Sequence, residues 1–119
     1  GAAFAAAVAA AWPAPGLDGA PAPYPVAIGR AAAAHGLPLS ETLLLFLEAF
    51  AANLVSAAIR LVPLGQTDGQ RALAALVPAC RDVAAEAEAA ALDEVGGCAL
   101  VADLASLRHE AQAVRLFRS

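Results

Sequence analysis

Residues 41–70 read ETLLLFLEAFAANLVSAAIRLVPLGQTDGQ, a long apolar run followed by a Pro-Leu-Gly-Gln connector. The run is long enough to cross a bilayer, but four polar residues interrupt it. These residues are Glu48, Asn53, Ser56 and Arg60. At roughly 100° per residue they fall within an arc of about 140°, which is the pattern of an amphipathic helix with a broad apolar face. We therefore predict a helix that packs against several neighbours and does not enter a membrane.

Two helices are predicted before this run. Residues 2–11 form the first, and a proline-rich loop follows it. The second begins at Tyr24, because Pro25 suits the first helical position. Gly36 suits the left-handed position that terminates a helix. The long helix then starts with Ser40 as its N-cap.

Two further helices are predicted after the connector. The T-x-x-Q spacing of residues 67–70 is that of a capping box, which starts the fourth helix at Asp68. Pro78 is expected to kink or split this helix before its end near Ala91. A fifth helix follows a Gly-Gly break and covers about residues 99–115.

Composition also favours helices. Apolar residues make up 61% of the 119 residues and aromatic residues only 5%, so an Ala- and Leu-rich helical chain fits better than a β-sandwich or barrel. We predict one all-α domain over residues 1–119, a bundle of about five helices with Pro- and Gly-rich connectors. The chain contains no Met, even at position 1, which predicts an internal or C-terminal piece of a longer protein.

Charge argues against nucleic-acid binding. The formal net charge is −4, and the seven basic residues are scattered rather than clustered. Cys80 and Cys98 lack CxxC spacing, which predicts reduced thiols and a cytoplasmic protein.

The sequence offers no catalytic constellation. It has no phosphate-binding glycine loop and no Lys for a Walker motif. His35 lies near a predicted helix end, where a capping role is expected. His109 and Glu110 are adjacent, so on a helix their side chains point about 100° apart and are poorly placed to share an ion. We therefore predict no catalytic residue, no metal ligand and no directly bound cofactor.

The C-terminal segment combines apolar and basic residues. Leu116 and Phe117 stand between Arg115 and Arg118, close to Ser119. Terminal segments fray unless they are held by contacts. From the residues alone, this tail either packs internally or serves as a docking peptide.

Three stretches together resemble the UreF family of urease accessory proteins. They are residues 24–29 (YPVAIG), residues 51–70 (AANLVSAAIRLVPLGQTDGQ) and residues 108–119 (RHEAQAVRLFRS). The resemblance covers essentially the whole chain, which looks like the C-terminal half of such a protein. Two motifs, residues 60–66 and the terminal residues 115–119, are specific to this family when they occur together.

The resemblance implies a cytoplasmic, all-α co-chaperone rather than an enzyme. A UreF-like protein is expected to form a homodimer, to bind the UreD/UreH accessory protein and the GTPase UreG, and to help incorporate nickel into apo-urease. Nickel is then handled by the assembled complex and GTP by the partner GTPase. Residues 115–119 are the expected docking tail. The expected partner-binding residues are His109, Glu110, Arg115, Leu116, Phe117, Arg118 and Ser119, together with Leu64, Gly65 and Gln66.

Other functions remain open at this stage. The main alternative is a helical interaction or scaffold module without a nickel role. A small metal carrier would need His35, His109, Cys80 or Cys98 to converge on one ion. An enzyme fits least, because no nucleophilic side chain has a basic side chain at a spacing that would place the two together.

Overall fold

The computed structural model describes residues 1–62 and 64–110, and their regular elements are all helical. Residues 1–89 form one unit and a second begins at residue 90, so each is described by itself. The first unit contains α1 (Ala2–Ala11), α2 (Tyr24–Ala34), α3 (Leu39–Leu61) and α4 (Gln66–Ala89). The second contains a short 3-10 helix (Leu92–Glu94) and α5 (Leu100–Glu110). The predicted all-α chain of five α-helices is thus confirmed, and the 3-10 helix is an addition.

The prediction that Ser40 caps α3 is wrong. The helix begins at Leu39, and the capping position belongs to Pro38. The carbonyl of Pro38 accepts hydrogen bonds from the Thr42 amide at 3.1 Å and the Thr42 hydroxyl at 2.8 Å. Ser40 lies inside the first turn, where its hydroxyl donates to Glu41 Oε2 at 2.8 Å. The backbone of Pro38, whose φ is fixed by the proline ring, therefore starts this helix without a side-chain cap.

The predicted start of α4 is also wrong. The helix begins at Gln66, two residues before Asp68, so Thr67 is already helical and cannot be the N-cap. The Gly69 amide donates to the Gly65 carbonyl at 3.1 Å, which closes the first turn through the backbone alone. At the starts of both α3 and α4, main-chain contacts thus replace the Ser and Thr side-chain caps that the sequence pattern predicted.

Pro78 does not split α4, which is continuous from Gln66 to Ala89. A proline inside a helix removes one backbone donor and strains the preceding turn. Here α4 packs against α3, and tertiary packing supplies most of the stability of a helix in a protein.

Alanine makes up the buried core of the described residues. The buried side chains are Ala5 of α1, Ala27, Ala31 and Ala32 of α2, and Ala84 of α4. Small side chains let α1 and α2 approach closely, but each buries little apolar area. No large side chain among the described residues is fully buried, so the first unit leaves much of its apolar surface in contact with solvent.

Three aromatic rings connect α1, α2 and α3. Phe4 and Tyr24 meet edge to face, with ring centroids 5.3 Å apart and planes at 84°. Tyr24 and Phe46 follow at 6.3 Å and 44°. Both pairs lie in the range in which aromatic contacts are favourable, so this chain of rings fixes the N-terminal part of the unit.

An ion pair holds the proline-rich loop against α2. Asp18 Oδ1 accepts the Ala20 amide at 3.0 Å and Arg30 Nη2 at 2.6 Å. Gly19 adopts φ +70°, and a Cβ there would stand 3.2 Å from the Ala9 Cβ. Gly19 is thus required both by its positive φ and by the close approach to α1.

The ion pair makes the loop sensitive to acid. The Ala20 amide, and then the Arg30 guanidinium, hold the pKa of Asp18 below its usual range. A lowered folded-state pKa contributes stability that is present above the unfolded pKa of about 3.9 and is lost as pH falls through the folded value. We expect the Ala20 amide resonance to move below pH 4, and Asp18→Asn to abolish that titration. An unchanged titration in the variant would contradict the assignment.

Gly29 offers a site for stabilising α2. It lies inside the helix, and a Cβ added there would meet no atom within 4 Å. Because alanine is favoured over glycine in a helix interior by about 1 kcal/mol, Gly29→Ala is expected to raise the thermal midpoint. Circular dichroism melting tests this, and a lowered midpoint would show that the space is occupied in solution.

Among the described residues, α3 is long and apolar enough to span a membrane by length and composition. It nevertheless packs against both α2 and α4, as predicted for an amphipathic helix with several neighbours. Ser56 and Arg60 are exposed as the predicted polar arc requires, whereas Glu48 is half-buried in a groove beside α4.

Candidate partner-binding site

The Leu64-Gly65-Gln66 motif lies at the tip of the α3–α4 hairpin. Helix α3 ends with the Val62 amide donating to the Ala58 carbonyl at 2.8 Å. The Leu64 amide donates to the Val62 carbonyl at 2.6 Å, which tightens the turn. Leu64, Gly65 and Gln66 are all exposed. The motif is therefore presented to solvent on a short, hydrogen-bonded connector between two long helices.

Apolar side chains surround this tip. Leu61, Val62 and Leu64 are 56%, 49% and 44% exposed. Adjacent exposed apolar residues are typical of surfaces that bind other proteins. The hairpin tip is thus a candidate contact surface, and the exposed side-chain amide of Gln66 can form directional hydrogen bonds there.

A groove of mixed polarity lies between the two helices near the tip. Its apolar wall includes Val55, Ile59 and Leu73, and its volume is about 380 Å³. Four polar side chains also line it, namely Ser56, Arg60, Gln66 and Gln70. Gln66 therefore belongs both to the exposed motif and to this groove, which the sequence pattern alone did not indicate.

Charged residues at the start of α4 are arranged favourably. Asp68 lies in the first turn, where a carboxylate interacts with the positive end of the helix. Its Oδ1 accepts a hydrogen bond from Arg71 Nη1 at 3.1 Å. Both side chains are largely exposed, so the pair contributes little stability and leaves the tip accessible.

The remaining predicted partner-binding residues belong to the second unit or lie beyond the described residues. His109 is in the last turn of α5, and Glu110 is the final residue of that helix. Arg115, Leu116, Phe117, Arg118 and Ser119 lie outside the described residues, as does the predicted end of the fifth helix. The docking tail therefore stays a prediction.

The residues considered for metal chemistry are dispersed. His35 lies at the predicted helix end as the C-cap residue of α2, where its backbone amide donates to the Ala31 carbonyl at 3.1 Å, and the role of its imidazole stays a prediction. Cys80 is a half-buried free thiol and Cys98 an exposed one. Within residues 1–62 and 64–110, no group of three His, Cys, Asp or Glu residues could hold a metal ion.

Comparison with known proteins identifies the family. The UreF family model matches residues 1–77, which include α1, α2, α3 and the hairpin tip. The chain belongs to the UreF family. The sequence-based resemblance is thereby confirmed.

Curated UreF relatives match the chain along its full length. A protein of Cereibacter sphaeroides strain KD131, named urease accessory protein UreF, is 60% identical over 119 residues, which are 100% of this chain and 55% of the relative. Proteins of the same name from Xanthobacter autotrophicus strain Py2 and Roseobacter denitrificans strain OCh 114 are 54% and 52% identical. In these two comparisons the match covers 100% of this chain and 51% and 52% of the relative. The chain thus spans about half the length of the curated relatives it matches. No solved structure matches it.

Proposed function

We propose that this UreF-family chain is a non-enzymatic accessory protein in the maturation of urease. The observation that carries the proposal is the match to the UreF family together with relatives named urease accessory protein. The exposed hairpin tip and the apolar helix faces support a role that depends on binding other proteins.

The proposed partners are UreD/UreH, the GTPase UreG and apo-urease, with the chain itself as a homodimer in the cytoplasm. The tail at residues 115–119 docks on UreD/UreH, and the hairpin tip at Leu64, Gly65 and Gln66 provides a second contact. Nickel is cargo of the assembled complex, and GTP is bound and hydrolysed by UreG. The chain contributes contacts and positioning rather than a bond-making step.

A reconstituted activation assay tests this function. Apo-urease is mixed with nickel, GTP, UreD/UreH and UreG, with or without this chain, and nickel bound to urease is counted together with urea hydrolysis. The proposal predicts that the chain increases both quantities and that GTP hydrolysis requires UreG. Equal nickel loading with and without the chain would contradict it.

A scaffold module without a nickel role is the second candidate, favoured by the same exposed apolar faces. In the assay above such a module would bind its partners but leave nickel loading unchanged. Measuring complex formation and nickel content on the same samples therefore separates the two functions.

A further inference from the structure

The proline-rich loop at residues 12–23 contacts α1 at Gly19. A Cβ built on Gly19 would stand 3.2 Å from the Ala9 Cβ, 3.5 Å from the Ala6 Cα and 3.6 Å from the Ala5 carbonyl oxygen. The backbone of Gly19 thus lies directly on α1, at a φ of +70° that glycine adopts without strain. We call residues 12–23 the strap.

One arginine of α2 holds both neighbours of Gly19. Arg30 Nη2 donates to Asp18 Oδ1 at 2.6 Å, and Arg30 Nη1 donates to the Ala20 carbonyl at 3.4 Å. Asp18 Oδ1 also accepts the Ala20 amide at 3.0 Å, which joins the two held residues to each other. Because Gly19 stands between them, the guanidinium of Arg30 keeps the middle of the strap on α1.

Little free space remains where the strap, α1 and α2 meet. A cavity of about 10 Å³ is lined by Ala5 of α1, Leu17 and Gly19 of the strap, and Ala27 of α2. This volume is enough for one water molecule at most. Ala5 and Ala27 are 6% and 4% exposed, so the two helices are in close contact beside the strap.

Helix α1 has few other contacts to hold it. Among the described helices its backbone comes close to that of α2 only, whereas α3 and α4 pack against each other. Its buried residue is Ala5, and its N-cap makes no side-chain hydrogen bond. Helix α1 has 10 residues, and isolated helices shorter than about 12–15 residues are marginal in water. It is therefore the helix of the first unit that depends most on the strap.

The contact with Arg30 also shortens the connection between α1 and α2. With the contact made, residues 12–17 join α1 to a fixed point on α2, whereas without it the whole strap does. Doubling the length of a flexible connection lowers the effective concentration of its ends about threefold. The ion pair is partly exposed, with 37% of the Arg30 and 65% of the Asp18 side chain accessible, and such pairs contribute modestly to stability. The contact can therefore open without unfolding of the other helices.

We propose that Arg30 is the latch of a strap that holds α1 on α2, and that loss of this latch releases α1 while the α3–α4 hairpin stays folded. Release uncovers Ala27 and separates Phe4 from Tyr24, whose ring centroids are 5.3 Å apart in the closed form. The latch thus controls whether this face of α2 is covered. The inference concerns the chain itself and is independent of the role in urease maturation.

Amide hydrogen exchange, measured by mass spectrometry on peptides from α1 and α4, tests the latch. Arg30→Met removes the guanidinium but keeps an apolar stem at that position. We expect the α1 amides to exchange at least about threefold faster in this variant, and the α4 amides to be unchanged. Arg71→Met is the matched control, because it removes the guanidinium of the ion pair with Asp68 on α4. It should leave exchange in α1 unchanged.

A pair of glycine substitutions tests the seat of the strap on α1. Gly19 and Gly16 both lie in the strap at positive φ, +70° and +79°, so alanine pays a similar conformational cost at each. A Cβ at Gly16 meets no atom within 4 Å, whereas a Cβ at Gly19 meets α1. Gly19→Ala should therefore accelerate exchange in α1 more than Gly16→Ala does.

Four results would overturn the proposal. They are unchanged α1 exchange in Arg30→Met, equal acceleration of α1 and α4 in that variant, an equal effect of Arg71→Met on α1, and equal effects of the two alanine substitutions. The experiment contains no partner protein, so its failure is distinguishable from failure of the nickel-loading assay.

Discussion

Removal of Arg115–Ser119 is expected to abolish co-purification of the chain with UreD/UreH while leaving its helix content unchanged. Aromatic and arginine side chains are enriched among the residues that dominate binding energy at protein interfaces. Phe117 and Leu116 would anchor the tail in the partner, and the flanking arginines would donate hydrogen bonds at the rim. The expected loss is at least about 2 kcal/mol, or roughly thirtyfold in affinity.

Single substitutions separate anchoring from simple shortening of the chain. Phe117→Ala should reproduce most of the loss. Leu92→Ala is a suitable control, because Leu92 is 91% exposed and lies outside the expected docking residues. If deletion and Phe117→Ala both left the complex unaltered, the tail would have no docking role.

Replacing Gly69 with leucine is expected to force α3 and α4 apart. Gly69 is buried on α4, and a Cβ there would stand 3.0 Å from Ile59 Cγ1 and 3.4 Å from Val55 Cγ1, with Ile59 Cδ1 closer still. A leucine adds three further carbons to that contact. Overpacking of this kind typically costs about 1–3 kcal/mol, which is a large part of the stability of a unit with so few buried residues.

Gly29→Leu provides the matched control. It places the same side chain inside a helix, at a position where a Cβ meets no atom within 4 Å. Thermal unfolding followed by circular dichroism should show a clear fall in midpoint for the Gly69 variant and little or none for the Gly29 variant. Equal midpoints would mean that the two helices are not in close contact at Gly69.

Helix boundaries that depend on local backbone chemistry were predictable. Gly36 adopts φ +68° immediately after α2, and Pro25 occupies its first turn. Both placements follow from the conformational limits of glycine and proline. The starts of α3 and α4 were misplaced because side-chain capping was assumed at Ser40 and Thr67, whereas Pro38 and Gly65 supply backbone carbonyls instead.

The environment of individual side chains was less predictable. The polar arc of α3 correctly predicted that Ser56 and Arg60 are exposed, but Glu48 lies half-buried beside α4. Periodicity defines which residues share a face, while the neighbour that this face meets is set by tertiary packing. For the same reason the groove between α1, α2 and α3 could not be predicted from the sequence.

The candidate site was found by two different routes. The resemblance to UreF proteins indicated Leu64, Gly65 and Gln66, and the structure places them together at an exposed turn. The exposed neighbours Leu61 and Val62 were missed because an apolar residue at a helix end is usually assigned to the core.

Co-expression of the chain with UreD/UreH and UreG, followed by purification through a tag on UreD/UreH and by sizing, tests the central claim most directly. The claim is that this UreF-family chain works by binding other accessory proteins. It predicts that the chain co-elutes in a stable complex that retains UreG. A chain that elutes alone as a monomer, with UreD/UreH and UreG in separate fractions, would contradict it.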